Sequence, residues 1–112
     1  MSGVHIKTRI IVQLNGENIL GPGRIELLEK IQSTGSISEA AREMGISYCK
    51  AIQLINHINE HSGQEAVLTW KGGPEHGGAR LSPWGENLIR RYKSLTDKVN
   101  NLLSAEEASF LL

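Results

Sequence analysis

The middle of the chain reads GSISEAAREMGISY, residues 35–48. Ser36 followed by Glu39 fits a capping box, in which the serine hydroxyl accepts a hydrogen bond from the N3 amide and the glutamate reaches back to the cap backbone. Gly45 is typical of the position after a helix C-terminus, and Ser47 is a favoured cap for the next helix. The stretch therefore predicts two helices joined by a tight glycine turn, the helix-turn-helix pattern.

The second helix of this pair has one apolar face, and we expect the helix-turn-helix to cover residues 36–61. The i, i+3, i+4, i+7 spacing of a buried stripe is filled by Ala51, Leu54, Ile55 and Ile58. In such folds the first turn of this helix enters the major groove, where lysine can donate to guanine and glutamine can bond adenine. Serine and tyrosine hydroxyls suit phosphates. The expected DNA contacts here are Ser36, Ser38, Ser47, Tyr48, Lys50 and Gln53, with Lys50 and Gln53 reading bases.

A β-hairpin is predicted directly after the helix pair, over residues 66–81. Two short apolar runs flank a glycine-rich loop, which could lay its backbone against a phosphate or a minor groove. The residues expected to serve this wing are Lys71, Gly72, Gly73, His76 and Arg80. A competing interpretation is that the helix face is merely solvated and the hairpin tip merely flexible.

The two ends of the chain predict a second hairpin and a long helix. Alternating apolar residues and the turn dipeptide Asn15-Gly16 predict a hairpin over 4–20. Ser82-Pro83 is a strong helix start, and we expect the last helix over 83–103, followed by a tail at 104–112. Apolar residues on this helix are spaced by 4, 3, 4 and 3, which is typical of a heptad seam. We expect that seam to be a dimer interface: Leu88, Tyr92, Leu95, Val99 and Leu102.

Composition sets the class of protein. The chain has 112 residues, enough for one domain at residues 1–103 with its tail, and twelve Lys and Arg balance twelve Asp and Glu. This balance excludes a strongly basic tail and an acidic disordered chain. No signal peptide and no membrane span are recognised, so we expect a cytoplasmic protein without a membrane partner. The expected fold class is α+β, mainly α: a winged helix-turn-helix with an N-terminal hairpin and a long C-terminal dimerisation helix.

The sequence from about residue 20 to residue 95 resembles the N-terminal domain of the ModE molybdate-responsive regulators. The resemblance rests on Gly35-Ser36-Ile37-Ser38-Glu39-Ala40-Ala41, Gly45-Ile46-Ser47-Tyr48, Ala51, Ile55, Asn59, Gly72-Gly73, Gly77-Gly78-Ala79, Leu81-Ser82, Gly85, Leu88-Ile89 and Tyr92. The Ala-Ala helix alone is also similar to LysR-type regulators. The resemblance implies a winged helix-turn-helix, dimeric through the long terminal helix, that binds an operator. It places Ser47, Tyr48, Lys50 and Gln53 in the DNA-reading turn.

The chain departs from this family in length, in motif and in charge. It ends where the molybdate-binding domains of full-length members would begin, so we expect a stand-alone form and no molybdate site. Ile52 stands where the family usually has Trp, and Pro74-Glu75-His76 replace Lys-Gly-Gly at the wing tip. Residues 36–82 carry four basic and five acidic side chains. Since phosphate neutralisation supplies much of DNA affinity, we expect weak binding per monomer, strengthened by pairing two half-sites.

Other patterns indicate no catalysis, and we expect no enzyme, no cofactor and no metal site. His57-Ile58-Asn59-Glu60-His61 has the order of an inverted zinc-protease motif, but that chemistry needs a third ligand and a substrate cleft. The absence of a third ligand would exclude a small metalloenzyme. Cys49 is interpreted as a packing residue, and the two tryptophans as core or dimer packing.

The expected partners are double-stranded DNA, a second copy of the chain and a separate effector-sensing protein. The rival function is a winged-helix protein-interaction module without DNA binding. Basic potential on the third-helix face would favour DNA, whereas an exposed apolar patch there would favour the rival.

Overall fold

The computed structural model describes residues 3–71 and 77–111. The elements follow one another as a hairpin, three helices, a second hairpin and a long helix. Their bounds are β1 Val12–Leu14, β2 Glu17–Leu20, α1 Pro22–Thr34, α2 Ile37–Met44, α3 Tyr48–Ser62, β3 Val67–Trp70, β4 Gly78–Leu81 and α4 Pro83–Glu107. The predicted α+β, mainly α, winged-helix fold with a long C-terminal helix is confirmed.

Serine caps set the geometry of the helix pair. The Ser36 hydroxyl accepts a hydrogen bond from the Glu39 amide at 3.1 Å, and the Ser47 hydroxyl accepts one from the Lys50 amide at 3.0 Å. Gly45 has φ 68°, the left-handed conformation that lets α2 end tightly. The second hydrogen bond of the predicted capping box, from the Ser36 amide to the Glu39 carboxylate, is not formed. The Glu39 carboxylate pairs with Arg42, and the Ser36 amide donates to the Thr34 hydroxyl.

The core is centred on α1. Three of its side chains, Leu27, Leu28 and Ile31, have no exposed surface. Small residues of the neighbouring helices, including Ala40 and Ala51, are equally buried and let the helices approach closely.

The N-terminal hairpin is shorter than predicted. Asn15 and Gly16 both have positive φ and form the expected tight turn, with Leu14 paired to Glu17. The strand expected from residue 4 begins only at Val12, however, because the four-residue β2 leaves nothing for earlier residues to pair with. The preceding segment, residues 3–11, lies against the last helix instead. We call it the N-terminal arm.

The wing is tied to the helices by backbone hydrogen bonds. β3 and β4 pair antiparallel from Val67–Leu81 to Trp70–Gly78. The Ala79 amide donates to the Gly35 carbonyl at 2.9 Å, which attaches β4 to the loop before α2. The Asn59 side chain of α3 accepts a hydrogen bond from the Ala66 amide at 2.7 Å. These contacts fix the wing to the loop before α2 and to the C-terminal part of α3.

The last helix is both part of the core and a projection from it. Ser82 caps α4 by accepting from the Gly85 amide at 3.0 Å, as predicted. Leu88 and Tyr92 are buried in the chain's own core, so the predicted dimer seam is divided: Leu95 and Leu102 are 43% and 63% exposed, and Val99 is half-buried. The helix also continues through residues 104–107, which were expected to be tail.

The N-terminal arm runs beside the projecting half of α4. The Tyr92 hydroxyl donates to the Ile10 carbonyl at 2.8 Å, and the Ile6 amide donates to the Glu107 carboxylate at 2.6 Å. The arm therefore contacts α4 both within the core and at its far end. Within the part of the chain that the structure describes, no helix has the length and apolar character to cross a membrane.

Candidate nucleic-acid interface

The helix pair and the wing enclose a cleft of about 370 Å³. Its walls are the start of α2, the first turns of α3 and the paired strands of the wing. The lining residues are Ser36, Ile37, Ser38, Tyr48, Ile52, Thr69, Trp70, Lys71, Gly77, Gly78 and Ala79. The cleft therefore brings together four of the predicted contact residues, Ser36, Ser38, Tyr48 and Lys71, from three separate elements.

The two serines of α2 differ in what they can offer a ligand. Ser36 is half-buried, and its hydroxyl oxygen already accepts the Glu39 amide. Ser38 is exposed in the first turn of α2, where backbone amides have no helical carbonyl partner. An anion approaching this wall would meet the Ser38 hydroxyl and the positive end of the α2 dipole.

The first turns of α3 present two neighbouring surfaces. Tyr48 and Ile52, four residues apart, line the cleft, and Tyr48 is 52% exposed. Ser47, Lys50 and Gln53 are also exposed but do not line the cleft; they form the outer surface of the helix. A duplex seated here would meet both surfaces at once, since they share the same two turns.

Three basic side chains of this region, Lys50, Lys71 and Arg80, form no ion pair with other described residues. Within residues 3–71 and 77–111, no carboxylate lies within 4.0 Å of the charged groups of Lys50, Lys71 or Arg80, whereas Arg42 is paired with Glu39. All three unpaired cations are exposed. Arg80 lies on β4 but outside the cleft lining. These cations can therefore meet phosphates without first breaking a contact in this part of the protein.

Three predicted wing residues, Gly72, Gly73 and His76, lie outside the described residues. The wing is therefore described only by Lys71 on one side and by residues 77–81 on the other.

Residues that sequence reasoning assigned to packing also lie at this surface. Trp70 is 50% exposed and lines the cleft, so it is not a residue of the chain's own core. Its ring covers Gly78, its cross-strand partner, where a Cβ would lie 2.6 Å from the indole. The sequence signal for this arrangement is Gly78, which lies opposite Trp70 in the hairpin and leaves room for the indole ring. Cys49 is exposed at the start of α3 and does not pack as predicted.

A second, more apolar groove of about 790 Å³ lies where β1, β2 and α4 meet. Trp84, Leu88 and Leu95 contribute to its lining, together with Arg90 and Arg91. Among the buried side-chain nitrogen and oxygen atoms that the structure describes, the indole Nε1 of the half-buried Trp84 has no hydrogen-bond partner. This groove lies on α4, beside the exposed half of the predicted seam.

The two histidines of α3 have a third potential ligand after all. The third ligand that a metal site needs is within reach, because Glu17 of the N-terminal hairpin lies beside them. Glu60, the acidic residue of the sequence motif, is exposed and is not the residue in this cluster. None of Glu17, His57 and His61 lines the cleft between the helix pair and the wing or the groove along α4.

Comparison with known proteins finds relatives that are similar to this chain over most of its length. The chain is 42% identical over 93 residues to the molybdenum-pterin-binding protein MopB of Rhodobacter capsulatus, a match covering 83% of this chain. It is 47% identical over 74 residues, 66% of this chain, to the transcriptional regulator ModE of Yersinia pestis. It is 36% identical over 102 residues, 88% of this chain, to the DNA-binding transcriptional dual regulator ModE of Escherichia coli K12.

The similarity covers only part of each relative. The chain spans between 28% and 39% of the length of these three proteins. No family model matches the chain.

Proposed function

We propose, because this chain is a homologue of the ModE and MopB proteins over most of its own length, that it is a DNA-binding transcriptional regulator of the ModE type. In this proposal it reads an operator as a homodimer, with α3 in the major groove and the wing beside it. The regulators among its relatives are named for transcription and DNA binding, which favours a binding protein over an enzyme.

The cleft between α2, α3 and the wing is the observation that carries this proposal. It places Ser38, Tyr48 and Lys71 on one concave surface, next to the exposed Lys50 and Gln53. Hydroxyls, a helix N-terminus and cations are the groups that position a protein on phosphates. Lysine and glutamine are groups that can distinguish base pairs in the major groove.

Two copies of the chain would join through the projecting half of α4. The exposed leucines Leu95 and Leu102 lie on one side of that helix with Val99, next to the groove beside Trp84. Burying this surface against a second copy would cover apolar area that the chain itself leaves in water. A dimer also presents two reading helices, which compensates for the few cations on each.

The test is a salt series of binding to duplex DNA. Random sequence is compared with a fragment from upstream of the protein's own coding region, at several salt concentrations. We expect affinity for the upstream fragment to exceed that for random sequence by about a thousandfold or more, and to fall steeply as salt rises. No binding at low salt by a chain that is dimeric in solution would contradict the proposal.

A protein-interaction module is the second candidate, and one observation favours it. Tyr48, Ile52 and Trp70 line the cleft together, so its walls include apolar surface that a protein partner could cover. In that case the Tyr48→Ala variant would no longer bind the protein partner, and neither the variant nor the unchanged protein would bind DNA. The salt series separates the two functions before any partner is sought.

A further inference from the structure

Glu17, His57 and His61 form a cluster at the end of α3 that the DNA-binding function does not use. His57 and His61 are four residues apart on one helix face, and their ring centroids lie 4.4 Å apart. Glu17 is the first residue of β2, directly after the Asn15-Gly16 turn. One potential ligand atom of each residue lies within 4.8 Å of those of the other two. The cluster therefore joins the N-terminal hairpin to α3.

The distances suit a small metal ion. A zinc ion binds imidazole nitrogen and carboxylate oxygen at about 2.0–2.2 Å, so neighbouring ligands of a tetrahedral site lie about 3.3–3.6 Å apart. The His57 Nε2 and Glu17 Oε2 atoms are already 3.4 Å apart. His61 is half-buried and Glu17 is exposed, so modest side-chain rotations can close the remaining separation.

We propose that Glu17, His57 and His61 bind one divalent transition-metal ion of the zinc, nickel or cobalt class, through two imidazoles and one carboxylate. Imidazole favours these metals over magnesium and calcium, which prefer oxygen ligands alone. Three protein ligands leave a further position for water. The ion would fasten the hairpin turn to the C-terminal end of α3.

Arg24 competes with the metal for His57. Its Nη1 atom lies 2.6 Å from His57 Nδ1 and 2.5 Å from the Asn18 carbonyl oxygen. Because a guanidinium only donates, Nδ1 is the acceptor, and the proton of neutral His57 sits on Nε2, facing Glu17. When a metal binds Nε2, the His57 proton moves to Nδ1. The Nδ1–H group then faces the Arg24 guanidinium, which is also a donor. Arg24 must then withdraw from His57.

This competition makes a directional prediction. In Arg24→Gln the side-chain carbonyl oxygen can accept a hydrogen bond from His57 Nδ1–H, the arrangement that strengthens metal-bound histidines. The variant should therefore bind metal more tightly than the unchanged protein, although it carries no new ligand. A weaker affinity in this variant would overturn the assignment of His57 Nε2 as the ligand.

The experiment is calorimetric titration of the full chain, free of any polyhistidine tag, with zinc chloride. We expect one zinc ion per chain, at least about tenfold weaker binding in Glu17→Gln and in His61→Gln, and about tenfold tighter binding in Arg24→Gln. The matched controls are Glu60→Gln and His5→Gln, which remove the same groups outside the cluster and should leave the affinity unchanged.

Cobalt absorption gives an independent readout of the ligands. Cobalt(II) in a low-coordinate nitrogen and oxygen site should show visible bands that His61→Gln loses, while circular dichroism confirms that the variant is folded. Absence of saturable zinc binding, or undiminished zinc affinity in folded His61→Gln, would overturn the proposal. The DNA-binding proposal stands or falls separately, because neither histidine lines the cleft.

Discussion

Gly85 is the residue at which α4 crosses the start of the wing. A Cβ at this position would lie 2.2 Å from the Ala66 carbonyl oxygen, which belongs to backbone and cannot rotate away. Gly85→Ala should therefore lower the free energy of unfolding by about 1–3 kcal/mol, because the helix must shift outward. Urea denaturation measures this loss.

The control for that substitution is Gly23→Ala. Gly23 is exposed in the first turn of α1, and a Cβ added there would have no neighbouring atom within 4 Å. Alanine there should leave stability unchanged or raise it by about 0.5–1 kcal/mol. An equal loss in both variants would mean that the contact with Ala66 is not the cause.

Lys50 is the residue whose proposed role in DNA binding is most open to direct measurement. It is exposed, its amide is held by the Ser47 cap, and its ammonium lies within 4.0 Å of no carboxylate in the described part of the chain. Lys50→Ala should cost about 1–3 kcal/mol of operator binding and relax the preference at one base pair. Fluorescence anisotropy with single-base operator variants measures both effects.

A uniform loss across all DNA sequences would instead make Lys50 a phosphate contact. Lys7→Ala is the matched control, since Lys7 is an exposed lysine of the N-terminal arm, away from the cleft. It should leave operator binding nearly unchanged.

At the scale of elements, the N-terminal arm is joined to α4 by Tyr92. Tyr92→Phe removes its hydrogen bond to the Ile10 carbonyl and should cost about 0.5–1.5 kcal/mol of stability at neutral pH. Tyr48→Phe is the control, because that hydroxyl is on an exposed side chain. Chemical denaturation of both variants tests the difference.

Tyr92 should also make the free energy of unfolding depend on pH. Burial raises the pKa of Tyr92 above its ordinary value, and Arg9 opposes part of that shift. A raised pKa means that the folded state holds the proton more tightly, so this stability is fully present below about pH 10 and is lost as pH rises through the folded pKa. The fall in stability as pH rises above about pH 10 should be smaller in Tyr92→Phe.

Local elements were predictable from sequence, and long-range ones were not. The caps at Ser36, Ser47 and Ser82 and the turn at Asn15-Gly16 depend on hydrogen bonds within a few residues, so the local pattern determines them. The path of the N-terminal arm depends on α4, which is far away in the chain. The alternation in residues 4–10 fits a strand equally well, and only the short β2 excludes it.

The residues of the candidate site were also predictable only where they depend on local sequence. Tyr48, Lys50 and Gln53 could be found because helical periodicity separates exposed from buried positions on α3. Trp70 could not be placed at the cleft, because apolar character alone does not show which side of a short strand faces the core. Glu17 beside His57 could not be found, since hairpin and helix meet only in the folded chain.

At the scale of the whole molecule, the extents of 63 × 30 × 22 Å reflect the projection of α4 from the domain. If two chains join through that projection, replacing Leu95 and Leu102 together by Glu should convert the dimer to monomer, because charges would be buried at the contact. Asn101→Glu adds a charge at an exposed position on the other side of α4 and is the control.

Sedimentation equilibrium measures the mass of both variants, and operator titration follows on the same samples. The leucine double variant should bind operator at least about a hundredfold more weakly, through the loss of the second half-site. A double variant that stays dimeric would place the contact elsewhere, and one that is monomeric but binds normally would remove the need for a dimer.

The arm that lies along α4 also bears on the order in which the chain folds. Its contact from Ile6 to Glu107 joins residues 101 apart in sequence, whereas the hairpin turn and the helix caps join near neighbours. Closing so long a loop costs conformational entropy, and contacts between distant residues form slowly. This contact should therefore form last and open first. During synthesis, the first residues must wait for the final turns of α4 to emerge, although the helix pair and the wing can already assemble. Native-state hydrogen exchange at the Ile6 amide should therefore be fast while the α1 core remains protected.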